Sequence, residues 1–219
     1  MNWKHDELPT PQNHQEMKKL YNEALNNRLD LLTSDSGWNK IYEKDGLLIE
    51  EKDAKDKSYI PMIRSTVCVK SNEPEKFMKF IYDANLTERK KVYEDILDHK
   101  VIYNINTNLH LALARFQAPS GFTNREFLAL RGISTLEDGS HLMAVQSINN
   151  KSVPFVSGYV RGISNCGVLI TPPNDDGYLL VRAVDHICPK GWIPTFLVNS
   201  YKEKIGFKIK KIVDTINSK

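Results

Sequence analysis

Between Lys100 and His186 the chain offers one apolar or alternating run after another, with too few residues between them for a crossover helix. VIYNINTNLHLALARFQ, EFLALRGIST, HLMAVQSI, FVSGYVRGIS, GVLITP and YLLVRAVDHI read as strands. The breaks carry turn chemistry, as in Glu137-Asp138-Gly139-Ser140 and Asn174-Asp175-Asp176-Gly177. Parallel neighbours need connections of about a dozen residues or more, so the pattern dictates an antiparallel meander. Such a sheet must bury an apolar face, and only the two ends of the chain can supply the helices.

Both ends do. From Gln15, apolar side chains at Met17, Leu20, Tyr21, Ala24, Leu25, Leu29 and Leu32 recur at helical spacing and predict a first helix ending near Thr33. Residues 1–14, with Pro9 and Pro11 among charges, predict a flexible arm, leaving 15–219 as one domain. Early strands are expected around Leu47–Glu51 and over Tyr59–Lys70. A short helix holding Phe77, Phe80 and Ile81, capped by Ser71 or Asn72, and a second over Thr87–Leu97 follow. The last segment is a long basic amphipathic helix starting about Ile193, with Pro194 in its first turn. Ile193, Leu197, Tyr201, Ile205, Ile209, Ile212 and Ile216 line one face, widened by Phe196 and Val213, with Lys202, Lys204, Lys208 and Lys211 mostly elsewhere. Gly206, costing about 1 kcal/mol relative to alanine, predicts a bend or a frayed turn. The fold class is α+β.

Charge and motifs exclude several functions. The net charge is +3, with 27 acidic residues interleaved among the basic ones, so nucleic acid is not the expected partner. Three cysteines without Cys-x-x-Cys spacing indicate neither a disulfide framework nor a zinc site and fit a reducing, cytoplasmic setting. No apolar run is long enough to span a bilayer, so membranes are expected to be touched from the surface. Gly-x-Ser-x-Gly, Walker, Gly-x-Gly-x-x-Gly and His-Glu-x-x-His motifs are all missing. Asp185 and His186 are strand neighbours that point to opposite faces, and His110 and His141 lack acidic or cysteine companions. No catalytic pair, metal or cofactor is expected.

Four elements occur in order: W38-x3-Y42-x3-G46, N124-R-E-F-L-A-L-R131, S157-G-Y-V-R161, and V184-D-H-I-C-P-K-G-W-I-P-x3-V198-N199. Together they resemble the START (steroidogenic acute regulatory protein-related lipid transfer) domain, the last element being the most specific. The resemblance implies a helix-grip fold, a curved antiparallel sheet wrapped around the C-terminal helix with a lipid tunnel between them. It implies a monomeric carrier of one lipid that meets membranes transiently. Water rejects such a cargo, because two chains of about sixteen carbons hide roughly 25 kcal/mol of gross hydrophobic free energy. Glycerophospholipid is the favoured ligand; a sterol or ceramide carrier, a cyclase-like enzyme on a hydrophobic substrate, and a lipid sensor are the alternatives.

The resemblance also implies a gate. The turn around Gly191, with Pro189 and Pro194, would hinge a lid carrying Trp192, Ile193, Phe196, Leu197 and Tyr201. Loop 149–158 matches a membrane-touching loop, where Val153, Phe155 and Val156 would insert. In the family the arginine at position 131 projects into the cavity, and alternation puts Phe127, Ala129 and Arg131 on one face. Its usual acidic partner on the preceding strand is missing from LHLALARF, so a buried Arg131 needs carbonyls, water, a distant carboxylate or a headgroup. Arg89 matches a phosphate contact of the choline-lipid branch. The choline-cage positions carry Ala114, Phe127 and Asn165, which disfavours choline recognition through aromatic rings. Gln117, Ser147, Tyr159 and Asn165 are further headgroup candidates by strand position.

Overall fold

The computed structural model describes residues 8–54, 60–191 and 194–218, with 195–199 and 201 as backbone only. Helix α1 (His14–Thr33) opens on an Asn13 cap that accepts from the Glu16 amide, and strands β1 (Asn39–Lys44), β2 (Leu47–Lys52) and β3 (Met62–Lys70) follow. Two short helices, α2 (Pro74–Asp83) and α3 (Leu86–Val92), lead into β4 (Ile96–Asn106), β5 (Leu109–Phe116), β6 (Asn124–Thr135), β7 (His141–Ser147), β8 (Tyr159–Arg161), β9 (Ile163–Ile170) and β10 (Tyr178–Cys188). Helix α4 (Thr195–Asn217) closes the chain.

Among the described residues the strands form one ten-stranded sheet in the order β1-β2-β3-β10-β9-β7-β6-β5-β4, with β8 beside β6. Its two faces serve different helices because alternation divides every strand. Leu111, Leu113, Leu128, Leu130 and Ala144 pack with Met17 and Tyr21 of α1, and Leu142, Leu169 and Val184 pack on Leu32. On the other face, Val67, Val69, Met143, Val168, Val181 and Ala183 form a core with α2 and with Ile205, Ile209, Ile212, Val213 and Ile216 of α4.

Several expectations change. The run 101–117 is two strands, because Thr107 and Asn108 turn the chain into a tight hairpin. FVSGYVRGIS keeps only three residues as β8, which pairs parallel to β6, so the meander is not wholly antiparallel. The second short helix stops at Val92 and Leu97 belongs to β4. Strand β1 has mostly exposed side chains and left no apolar pattern to read. Helix α2 begins with Pro74 at its first position after Glu73, rather than at a Ser71 or Asn72 cap. Of the arm, residues 8–13 lie against the body: Leu8 is buried and the Pro9 carbonyl accepts from the Asn149 amide at 2.8 Å.

Gly206 is no bend. Helix α4 runs through it, and a β-carbon there would stand 2.8 Å from Cδ1 of Ile49, so the glycine lets the helix axis settle onto β2. The turn before α4 is strained instead, with Lys190 and Gly191 both left-handed at φ 51° and 72°. Arg125 braces it by donating to the carbonyls of Pro189 (2.9 Å) and Lys190 (3.1 Å).

Candidate functional site

Between α4 and the sheet lies a cavity of about 410 Å³, within the range of about 300–1,000 Å³ of ligand sites. Strand β5 gives it Ala112, Ala114 and Phe116; β6 gives Phe127, Ala129 and Arg131. The small alanines leave space between the sheet and the helix, and an apolar wall results. Glu94, Asp95, Lys204 and Lys211 also line it, and Lys211 pairs with Glu94 at 2.5 Å, strapping α4 to the segment before β4.

Two of the charged groups in the lining are buried arginines. Arg131, 7% exposed, donates to the Tyr82 carbonyl at 2.7 Å and to the Ile81 carbonyl, and its guanidinium lies 5.1 Å from the Tyr82 ring centroid. Arg89, 8% exposed, donates to the same Tyr82 carbonyl at 2.9 Å. These are last-turn carbonyls of α2, which the helix itself cannot satisfy, at the negative end of its dipole. The missing carboxylate is thus replaced by backbone. The replacement is partial: a helix end is worth about half a charge, against two full ones. Burial, and then Arg89, push the Arg131 pKa down to about 9, still protonated at neutral pH, and burial lowers that of Arg89. The Arg89 Nε finds no hydrogen-bond partner among the described residues.

Two histidines register the same field. His99 lines the cavity, and burial followed by the two arginines and His110 drives its pKa down to about 3. His110, whose Nδ1 is 2.9 Å from the Tyr82 hydroxyl, is lowered to about 4 by burial, Arg131 and Arg89.

A family profile described as START domain matches residues 19–218. The chain belongs to the START domain family. Its fold is similar to that of human StAR-related lipid transfer protein 5 (TM-score 0.82, 17% identity, 94% of this chain and 99% of that one). It is also similar to human STARD10 (TM-score 0.76, 17% identity, 96% and 82%). In sequence it is 26% identical over 145 residues to the homeobox-leucine zipper protein HOX29 of Oryza sativa subsp. indica, 64% of this chain and 17% of that protein. The chain therefore spans about a sixth of the curated relatives it matches. The helix-grip architecture expected for a START domain is the one observed. No helix among the described residues is long and apolar enough to cross a membrane.

Of the expected site residues in this START domain, Arg89, Arg131 and Phe127 share the cavity lining. Four others lie outside it. Gln117 is exposed; Tyr159 stacks under Arg115 at 4.7 Å; Asn165 Oδ1 accepts from the Ser147 amide at 3.0 Å; Ser147 Oγ donates to the Ser164 carbonyl at 3.2 Å. The polar side-chain atoms of Asn165 and Ser147 serve backbone groups of neighbouring strands. Trp192 and Ile193 fall outside the described residues, as do the side chains of Phe196, Leu197 and Tyr201. In loop 149–158, Phe155 and Val156 are exposed (52% and 43%), whereas Val153 is partly buried against the core cluster that α1 shares with β4–β7. Arg161, paired with buried Glu126, holds the Val153 and Pro154 carbonyls and lies against the Phe155 ring.

Sequence reasoning missed Asp185, Lys208 and His99 in the lining. Signals existed for two: Asp185 is in phase with Val181, Ala183 and Ile187, and Lys208 stands between Ile205, Ile209 and Ile212 on the helix.

Proposed function

We propose that this START domain binds one anionic glycerophospholipid, tails in the cavity and phosphate on Arg89 and Arg131, and carries it between membranes unchanged. The supporting observation is the buried arginine pair beside an apolar cavity, bonded to helix carbonyls rather than to a carboxylate. A phosphate oxyanion neutralises that charge at low cost where water is excluded. The lone hydroxyl of a sterol or the neutral headgroup of a ceramide leaves it uncompensated. Three free thiols support a reducing, cytoplasmic setting, with the monomer acting at membrane surfaces.

The test offers purified protein mixed vesicles of phosphatidylcholine, phosphatidylglycerol, cholesterol and ceramide, then reads the re-isolated protein by native mass spectrometry. One phosphatidylglycerol per chain, of unaltered mass, is the expected result. Sterol or ceramide in its place, or lipid of changed mass, overturns the reading.

Helix α4 and loop 149–158 form the gate in this proposal, with Phe155 and Val156 entering the membrane. Changing both to serine is expected to slow vesicle-to-vesicle transfer about tenfold, since each side chain contributes on the order of 1 kcal/mol or more on leaving water. Lipid already bound stays bound. A transfer rate equal to that of the parent protein removes these residues from the membrane contact.

A further inference from the structure

Asp185 of β10 and Lys208 of α4 form an ion pair that the phosphate site leaves unused. The side chains are 2% and 14% exposed, and both line the cavity that holds Arg89 and Arg131. Burial disfavours the Lys208 ammonium, yet Asp185, Tyr93 and Cys166 together outweigh it and raise its pKa above the ordinary lysine range. Stability is a weak reason for such a pair, since a well-packed apolar replacement is often as stable or more so. Its polar capacity is also unspent. An ammonium has three donors, and Asp185 is the one hydrogen-bond partner of Lys208 among the described residues. Beyond Lys208, Asp185 interacts with the Cys166 thiol, a weak donor whose pKa burial and then Asp185 raise to about 12.

A fixed donor beside a fixed acceptor complements a hydroxyl, which accepts from one and donates to the other. The pair also shares one cavity lining with Arg89, Arg131 and Tyr93. A quaternary ammonium fits less well: it has no N–H for Asp185 and meets three cations. We infer that Asp185 and Lys208 form a second polar subsite that selects a hydroxyl-bearing headgroup, so that the preferred ligand is a phosphodiester of a polyol such as glycerol or inositol. This rests on the phospholipid reading above and adds the headgroup to it.

Phosphatidylglycerol and phosphatidylmethanol with identical acyl chains carry the same phosphodiester charge and differ by the diol. Offered in equal amounts in vesicles and counted by native mass spectrometry, they are expected to load in a ratio of about ten to one, the worth of one well-made buried hydrogen bond to a charged group. A single change would strand a buried charge, so the pair is altered together. In D185N/K208Q, folding verified by circular dichroism, the ratio is expected to fall to about one. Equal loading of both lipids by the parent protein overturns the hydroxyl subsite while leaving the phosphate site standing. Loading of neither overturns the phospholipid reading itself. A ratio that stays near ten in the paired variant shows that the diol is read elsewhere and overturns the assignment to Asp185 and Lys208.

Discussion

Arg131→Met is expected to lower phosphatidylglycerol loading about 30- to 150-fold, the equivalent of about 2–3 kcal/mol for a charge-assisted contact made away from water. The substitution conserves the unbranched stem, so the apolar wall against Met143 and Ala129 is kept while the guanidinium goes. Stability is expected to change little, because two effects oppose. The Ile81 and Tyr82 carbonyls lose a donor, although Arg89 still donates to Tyr82, and a buried charge that repels Arg89 is removed. Arg131→Lys separates charge from shape: an ammonium keeps the cation but lacks the planar fork that spans two carbonyls and a phosphate together, so loading recovers in part. The measurement is lipid bound per chain after vesicle extraction, with urea unfolding as the control. Loading by Arg131→Met equal to that of the parent protein would remove the phosphate from this end of the cavity.

Arg131 also shows how far the sequence could be read. Period-two alternation through NREFLALR put Phe127, Ala129 and Arg131 on one face, and they share the cavity. The lack of a carboxylate in LHLALARF was equally plain. What answers the guanidinium is the end of α2, fifty residues away, and carbonyls carry no side-chain signature. That the helix stops at Asp83, before Ala84 and the Asn85 cap of α3, leaves Ile81 and Tyr82 free to accept. Two strand candidates lie off the cavity lining for a related reason. Asn165 and Ser147 sit on adjacent strands and satisfy backbone groups of each other's strands, a use of polar side chains that hydropathy cannot distinguish from facing a ligand. Lys208 reads with the lysines that lie mostly off the apolar face because charge argues for exposure, while its phase between Ile205 and Ile212 argues for the cavity. Phase decided there, because Asp185 supplies the partner that makes burial tolerable.

The same two arginines set a pH dependence through the histidines beside them. In the unfolded chain a histidine takes its proton near pH 6.5. In the fold His99 waits until about pH 3 and His110 until about pH 4, because burial and the charges of Arg89 and Arg131 oppose a further cation. These are folded values below the unfolded ones for groups held neutral, so the unfolded state binds more protons below pH 6.5 and stability falls as pH falls. Above about pH 7 this contribution is complete and flat. Between pH 6.5 and 4 it is expected to cost about 3 kcal/mol, roughly half the ideal value because solvent screens the partly exposed His99. Urea midpoints measured across this range check it, and His99→Gln together with His110→Gln should flatten the slope. An anionic headgroup on the arginines reverses part of the effect. By neutralising them it lets His99 take up a proton, so lipid-loaded protein should lose less stability than empty protein as pH falls, and its affinity for the anion should rise over the same interval. Equal acid sensitivity with and without bound phosphatidylglycerol would mean that its phosphate lies beyond the reach of the arginine pair.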